Sequence, residues 1–166
     1  SDRVGQTILE YFQKNSYIDK EHINVVGFNF GGYYAVRLAA QSTGIRAVVN
    51  MAGPMHYAFE SGYLNKLPSY IQNILRKASG EKDFAGFATT AERFSLLKSG
   101  LLKQLTCPCL VINVRDNFFV PLADSYVFAE ESKLPAVIKV YDDEYSFPKH
   151  ISEVYVLMLE WLKQNQ

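Results

Sequence analysis

The sequence predicts an α/β domain with three layers and a parallel sheet of about four strands. Three observations carry this. Mostly apolar runs of strand length lie at 23–28, 45–51, 110–114 and 136–141, with helix-compatible segments between and around them. Such runs suit strands that helical crossovers cover on both faces. The first run ends in a glycine-flanked turn, Gly27-Phe28-Asn29-Phe30-Gly31-Gly32, that passes directly into a helical segment.

Size and composition bound the rest. With 166 residues, 48% of them hydrophobic, and a formal charge of zero, the chain reads as a single domain over 1–166 able to bury a core. Its lysines and arginines are scattered and form no basic stripe, which argues against a nucleic-acid partner. Neither a signal-peptide pattern nor an apolar stretch of about twenty residues is present, so no membrane role and a cytoplasmic location are expected. Cys107 and Cys109 flank Pro108, too close for an easy disulfide and without a second ligand pair. They are expected to be reduced, half-buried thiols, with no metal site and no cofactor.

In chain order, Val4, Ile8, Tyr11 and Phe12 recur at helical spacing, which predicts an amphipathic helix over 2–14 with one buried face. Asp19 begins a turn, and the first strand follows over 23–28. The alanine-rich segment 33–41 continues as a helix that ends near Gly44. The second strand, 45–51, stops at Ala52-Gly53-Pro54. Between residues 55 and 105 the pattern loosens into helical pieces at 67–78, 84–88 and 91–97, separated by Gly80, Gly86 and Gly100. This stretch is aromatic, and is read either as a lid-like helical insertion over a pocket or as rings that fill the space beside the sheet. Order returns with the third strand, 110–114. Pro121 then suits the first turn of a helix running to Ser132, with Asp124 near the positive end of its dipole. A fourth strand, 136–141, precedes a closing helix whose buried stripe is Ile151, Val154, Tyr155, Met158, Trp161 and Leu162.

Ligands of open parallel sheets collect at the carboxyl ends of the strands. Three residues fall there: Asn29 in the glycine-flanked turn, Asp116 after the third strand, and His150 after the fourth. A strand that turns sharply into a helix around one exposed residue is the geometry of the nucleophile elbow, and elbow, acid, histidine is the chain order of the triad built on it. Asparagine at the centre changes the chemistry, because an amide nitrogen has no lone pair free to attack an ester and no histidine can activate it. Deamidation of Asn29 to a carboxylate nucleophile is disfavoured by the bulky Phe30 that follows. His56 is placed to line the pocket floor or to serve as a hydrogen-bonded structural residue. Ser95, Ser99 and Ser125 are expected to be capping or surface hydroxyls without a neighbouring base. His22 belongs at the opposite end of the sheet.

From about residue 18 onward the chain resembles the C-terminal half of an α/β-hydrolase, and more narrowly the fermentation-respiration switch protein family, the FrsA-like esterases. The matching residues are Gly27-Phe28-Asn29-Phe30-Gly31, Ala35-Val36-Arg37-Leu38-Ala39, Gly53-Pro54 with His56, Arg93-Phe94-Ser95-Leu96, Gly100-Leu101-Leu102, and Asp116 with Pro121. The resemblance implies esterase-type hydrolysis and a small ester as ligand, in a group some of whose members lack serine at the elbow. With a serine there, His150 would take its proton, Asp116 would hold the imidazole and the Phe30 amide would supply part of an oxyanion hole. With asparagine the expectation is a catalytically impaired protein that acts by binding. The alternative is an active ester hydrolase using His150 and Asp116 with an unorthodox nucleophile or with residues from missing sequence.

A full hydrolase fold places several strands before the elbow, and one of their loops gives the second oxyanion amide. The residues before Asn29 leave room for a single helix. An uncovered elbow strand would be an edge with unpaired amides and carbonyls. The sequence therefore predicts either a homo-oligomer joined through that edge or a missing N-terminal segment that covers it.

Overall fold

The computed structural model describes residues 2–144 and 147–165. Four strands, β1 (Asn24–Phe28), β2 (Ala47–Met51), β3 (Cys109–Val114) and β4 (Ala136–Tyr141), form one sheet in the order β1-β2-β3-β4. All three pairings are parallel, with Phe28 opposite Met51, Met51 opposite Ile112 and Val114 opposite Tyr141. The carboxyl ends of all four strands therefore lie along one rim of the sheet.

β2 and β3 are the interior strands, and every one of their residues is buried, as the mostly apolar runs predicted. One core lies where α2 (Phe30–Ala40), the helices of the 55–105 stretch and the helix after β3 meet the sheet, through Val36, Ala39, Val48, Leu96, Leu102 and Phe128. A second core lies on the other face, where Val154, Met158 and Trp161 of α7 (Ile151–Gln164) pack on Val49, Leu110 and Ile112. The sheet is thus the middle of three layers.

Two expectations about the elbow side need correction. β1 is the edge strand the sequence foresaw, but its Val26 and Phe28 are 37% and 42% exposed, so it is not covered on both faces. The helix α1 (Asp2–Lys14) forms at the predicted residues, but Val4 and Tyr11 are each 62% exposed and the apolar face is not buried. The two exposures lie on opposite faces: Val26 and Phe28, in register with Val49 and Met51, share the face on which α7 packs, whereas α1 lies on the α2 face. α1 rests on α2 with its apolar stripe only partly engaged, leaving an apolar groove between Val4, Ile8, Val25, Tyr34 and Leu38. At the start of β1, the buried Oδ1 of Asn24 has no hydrogen-bond partner among the described residues.

The 55–105 stretch is built of short pieces: a 3-10 turn at Tyr57–Phe59, α3 (Ser61–Leu64), α4 (Ser69–Ser79), α5 (Phe84–Thr90), and 3-10 turns at Ala91–Phe94 and Leu101–Gln104. The helix expected over 91–97 is only that first turn. Ser95 leaves the helical conformation, and its hydroxyl caps the Lys98 amide at 3.0 Å. α2 starts three residues earlier than the spacing predicted, at Phe30, because the glycine-flanked turn is tight enough to feed the helix without a linker. Between β3 and β4, α6 (Leu122–Glu131) starts just after Pro121.

Candidate active site

The turn at Asn29 has the backbone that an elbow demands. Asn29 adopts φ 51 and ψ −124, outside the regions that L-residues favour. Such a conformation costs on the order of 1–3 kcal/mol and persists only where its surroundings over-determine it. Here they do. The Asn29 N–H donates to the Met51 carbonyl at 2.8 Å, extending the β1–β2 ladder, while its carbonyl accepts the Gly32 amide at 2.8 Å. A Cβ at Gly27 would stand 2.1 Å from the Gly31 carbonyl oxygen, so only glycine permits the strand and helix to approach this closely. Asn50, fully buried on β2, clasps the next turn by accepting the Gly53 amide and donating to its carbonyl, at 2.7 and 3.2 Å. Phe30 is the first residue of α2, so its N–H is among those with no intrahelical acceptor.

On the far side of the sheet, His150 stands at the N-cap position of α7, and its Nδ1 lies 2.9 Å from Oδ2 of Asp143. The same oxygen accepts the Lys149 and His150 amides, and Oδ1 accepts the Glu144 amide. Burial alone would raise this carboxyl, but the His150 ring and the backbone donors outweigh it and hold Asp143 below the usual carboxylate range. The Tyr141 ring packs 5.2 Å from the imidazole and limits its rotation. The carboxylate contact at Nδ1 fixes the orientation of the ring.

The acid was expected at Asp116, and the structure puts another carboxylate against the imidazole. Asp116 is exposed, and among the described residues no hydrogen bond joins it to His150. The local cause is Asn117, whose buried side chain donates to Asn113 and accepts the Phe119 and Val120 amides. Asn117 thus takes the inward place at this strand end and leaves its neighbour outside. Asp116 lines an open polar hollow with Phe118, Asp142 and Asp143. The adjacent acids Asp142-Asp143, just beyond the last strand and seven residues before His150, were the available sequence signal.

Among the described residues no hydrogen bond links the Asn29 side chain to His150. Chemically, the rim therefore carries a strained turn bearing a carboxamide and, separately, an imidazole already oriented by a carboxylate.

His56 is buried, and its Nδ1 lies 2.9 Å from the hydroxyl of Ser95, which therefore does have a neighbouring base. Ser95 is 1% exposed and also receives the Lys98 amide, so the pair is a structural link between the loop after β2 and the helical stretch. Asp124, expected only near the positive end of the α6 dipole, is fully buried and accepts four backbone amides, those of Met55, His56, Tyr57 and Ala58. Burial raises its carboxyl while those four donors oppose the rise. Burial and then the charge of Asp124 push the Tyr63 phenol up to about 12, so it stays protonated and donates to the Asn117 carbonyl. Asp124 thereby fixes the path of the chain from β2 into the helical stretch.

Ser125 accepts a hydrogen bond from Asn113 inside the core, and His22 pairs with Asp19 before β1, at the opposite end of the sheet from the site. Cys107 and Cys109 are free and more deeply buried than expected, and burial pushes the Cys107 thiol up to about 11. Among the described residues no group of three or more metal-ligating side chains occurs, and no helix is long and apolar enough to cross a membrane.

Comparison with known proteins adds independent observations. The family model for FrsA-like esterases matches residues 1–165. The esterase FrsA of Vibrio parahaemolyticus is 26% identical over 171 residues, covering 99% of this chain and 41% of that protein. Among solved structures, AbyA5 superposes with a TM-score of 0.83 at 15% identity, covering 100% of this chain and 50% of the other. A 2,6-dihydroxy-pseudo-oxynicotine hydrolase superposes with a TM-score of 0.80 at 17% identity, covering 99% of this chain and 46% of the other. The structural likenesses speak to the fold. This chain spans about two fifths of the length of the curated relatives it matches.

Proposed function

Because the chain belongs to the FrsA-like esterase family, we propose that it binds a small ester or a related acyl ligand at the strand rim without forming a covalent intermediate. The observation that carries this reading is Asn29. The backbone there is held in a strained elbow, yet the side chain at its tip is a carboxamide that cannot attack an ester. Removal of a triad serine costs on the order of 10⁶-fold in a protease where it was measured, so a non-nucleophilic elbow leaves only the acceleration from binding and oxyanion contacts.

One observation favours a second reading, a slow ester hydrolase. His150 and Asp143 form an intact base and orienting acid. In that reading His150 takes a proton from a water molecule as the water oxygen bonds to the ester carbonyl carbon. The imidazolium then returns the proton to the departing alcohol oxygen as the carbonyl re-forms.

An activated short-chain ester tests both readings in the full-length protein, in Asn29→Ser and in His150→Ala. Turnover that begins only with Asn29→Ser supports the binding protein. Turnover in the unmodified protein that disappears with His150→Ala supports the hydrolase.

We also propose that a further strand covers β1 in the working protein, contributed by the remainder of a longer polypeptide, with a second copy as the alternative. The exposed Val26 and Phe28 and the apolar groove beside α1 support this. Light scattering of the 166-residue chain separates the two sources, since a stable monomer at micromolar concentration rules out self-association. The cytoplasmic location expected from the sequence accompanies this reading and is tested by cell fractionation.

A further inference from the structure

Beside the elbow, α2 and the α4–α5 helices enclose a half-open cavity of about 130 Å³. Its walls are Phe30, Tyr33, Phe59, Leu75, Phe87 and Phe94. We propose that this cavity receives a single, unfused aromatic ring of the bound ligand. The proposal rests on the binding reading above and specifies the chemistry of what is bound.

Size sets the upper limit. An apolar cavity of roughly 150 Å³ stays dry and takes up benzene, so the volume here matches one six-membered ring and is too small for a fused bicycle. Toward the interior the space narrows between Pro54, Leu64 and Phe119 to a remnant of about 10 Å³, which closes the far end. The wall rings already meet one another tilted or edge to face. Tyr33 and Phe59 are 5.5 Å apart at 70°, and Phe59 and Phe94 are 6.0 Å apart at 44°. A ring inserted among them finds both ring faces and ring edges at the spacings that aromatic pairs prefer, a gain that an aliphatic chain of equal size does not obtain.

The cavity also lies where a ligand of the elbow would reach it. Phe30 is both a wall residue and the residue directly after Asn29, and Tyr33, three residues on, lies within one turn of it on α2. At the mouth stand Ala78 and Ser79, on the last turn of α4, with Ala78 exposed.

The test uses two non-hydrolysable ketones, benzyl methyl ketone and its naphthylmethyl analogue, titrated into the full-length protein by calorimetry. Binding of the benzyl ketone at least tenfold tighter than the naphthyl ketone is expected, with movement of the Leu75 methyl resonances. Ala78→Trp, at an exposed helix position that leaves the fold intact, is expected to weaken the benzyl ketone at least tenfold by blocking the mouth. Absence of benzyl ketone binding overturns the proposal, as does equal affinity for the two ketones or an affinity that Ala78→Trp leaves unchanged. If a straight-chain ketone binds and shifts Asn29 and His150 resonances while Leu75 and Ala78→Trp have no effect, the cavity proposal fails and the binding reading stands.

Discussion

At the β1 edge, Asn29 holds a strained backbone, fixed by glycines and ladder hydrogen bonds, and its side chain offers no attacking atom. Beyond β4, His150 sits in ordinary geometry with a buried carboxylate that satisfies its ring and the surrounding backbone amides. The first region keeps the shape of a nucleophile site without its chemistry. The second keeps the chemistry of a base without, among the described residues, a hydrogen bond to the elbow. The difference teaches that the two regions are held by separate means. Backbone sterics hold the elbow, whereas a side-chain network holds the base, so one half can change while the other persists.

The largest expected effect comes from restoring the missing atom. Asn29→Ser should raise hydrolysis of an activated ester by at least about 10³-fold over the unmodified protein, and adding His150→Ala should abolish the gain. No gain from the serine would mean that the two halves no longer meet on one substrate.

A second experiment compares the elbow's backbone with its surroundings. Gly27→Ala should cost about 3 kcal/mol in urea unfolding, because its Cβ meets backbone rather than a movable side chain. Gly31→Ala, with open space around its Cβ, should be neutral or stabilising by about 0.5 kcal/mol from helix propensity. Equal costs for the two would break the claim that sterics at Gly27 set the turn.

On the other half, Asp143→Asn in the Asn29→Ser background should lower turnover by about 10²-fold through the wrong ring orientation, while Asp116→Asn should change it less than about twofold. The reverse order would return the acid's role to Asp116. The same variant has a smaller pH signature. Asp143 lies below the ordinary carboxylate range, so its stabilising contribution is complete above about pH 4 and is lost as the pH falls through its lowered value. The difference in urea midpoint between the unmodified protein and Asp143→Asn should therefore shrink as the pH falls from 5 toward 3.

The four strands were legible in the sequence because a doubly covered strand must be mostly apolar, and 45–51 and 110–114 are, with the buried Asn50 and Asn113 satisfied by hydrogen bonds. The elbow was legible because a turn this tight needs glycine where backbone meets backbone. The orienting acid was not, since the choice between Asp116 and Asp143 depends on which side chain Asn117 displaces at the end of β3. Asp124 was missed for a related reason. An acidic residue in the first turn of a helix fits a dipole role, and only the return of residues 55–58 against that helix makes it a buried acceptor of four amides. The predicted buried face of α1 failed because periodicity marks which residues can be covered, not whether anything covers them.

The central claim, that the elbow carries no nucleophile while the base remains competent, is tested most directly by intact mass after treatment with an activated alkyl phosphonate. The unmodified protein should gain no mass, and Asn29→Ser should gain one phosphonyl group mapping to position 29. A phosphonyl group acquired by the unmodified protein and lost in His150→Ala would contradict the account.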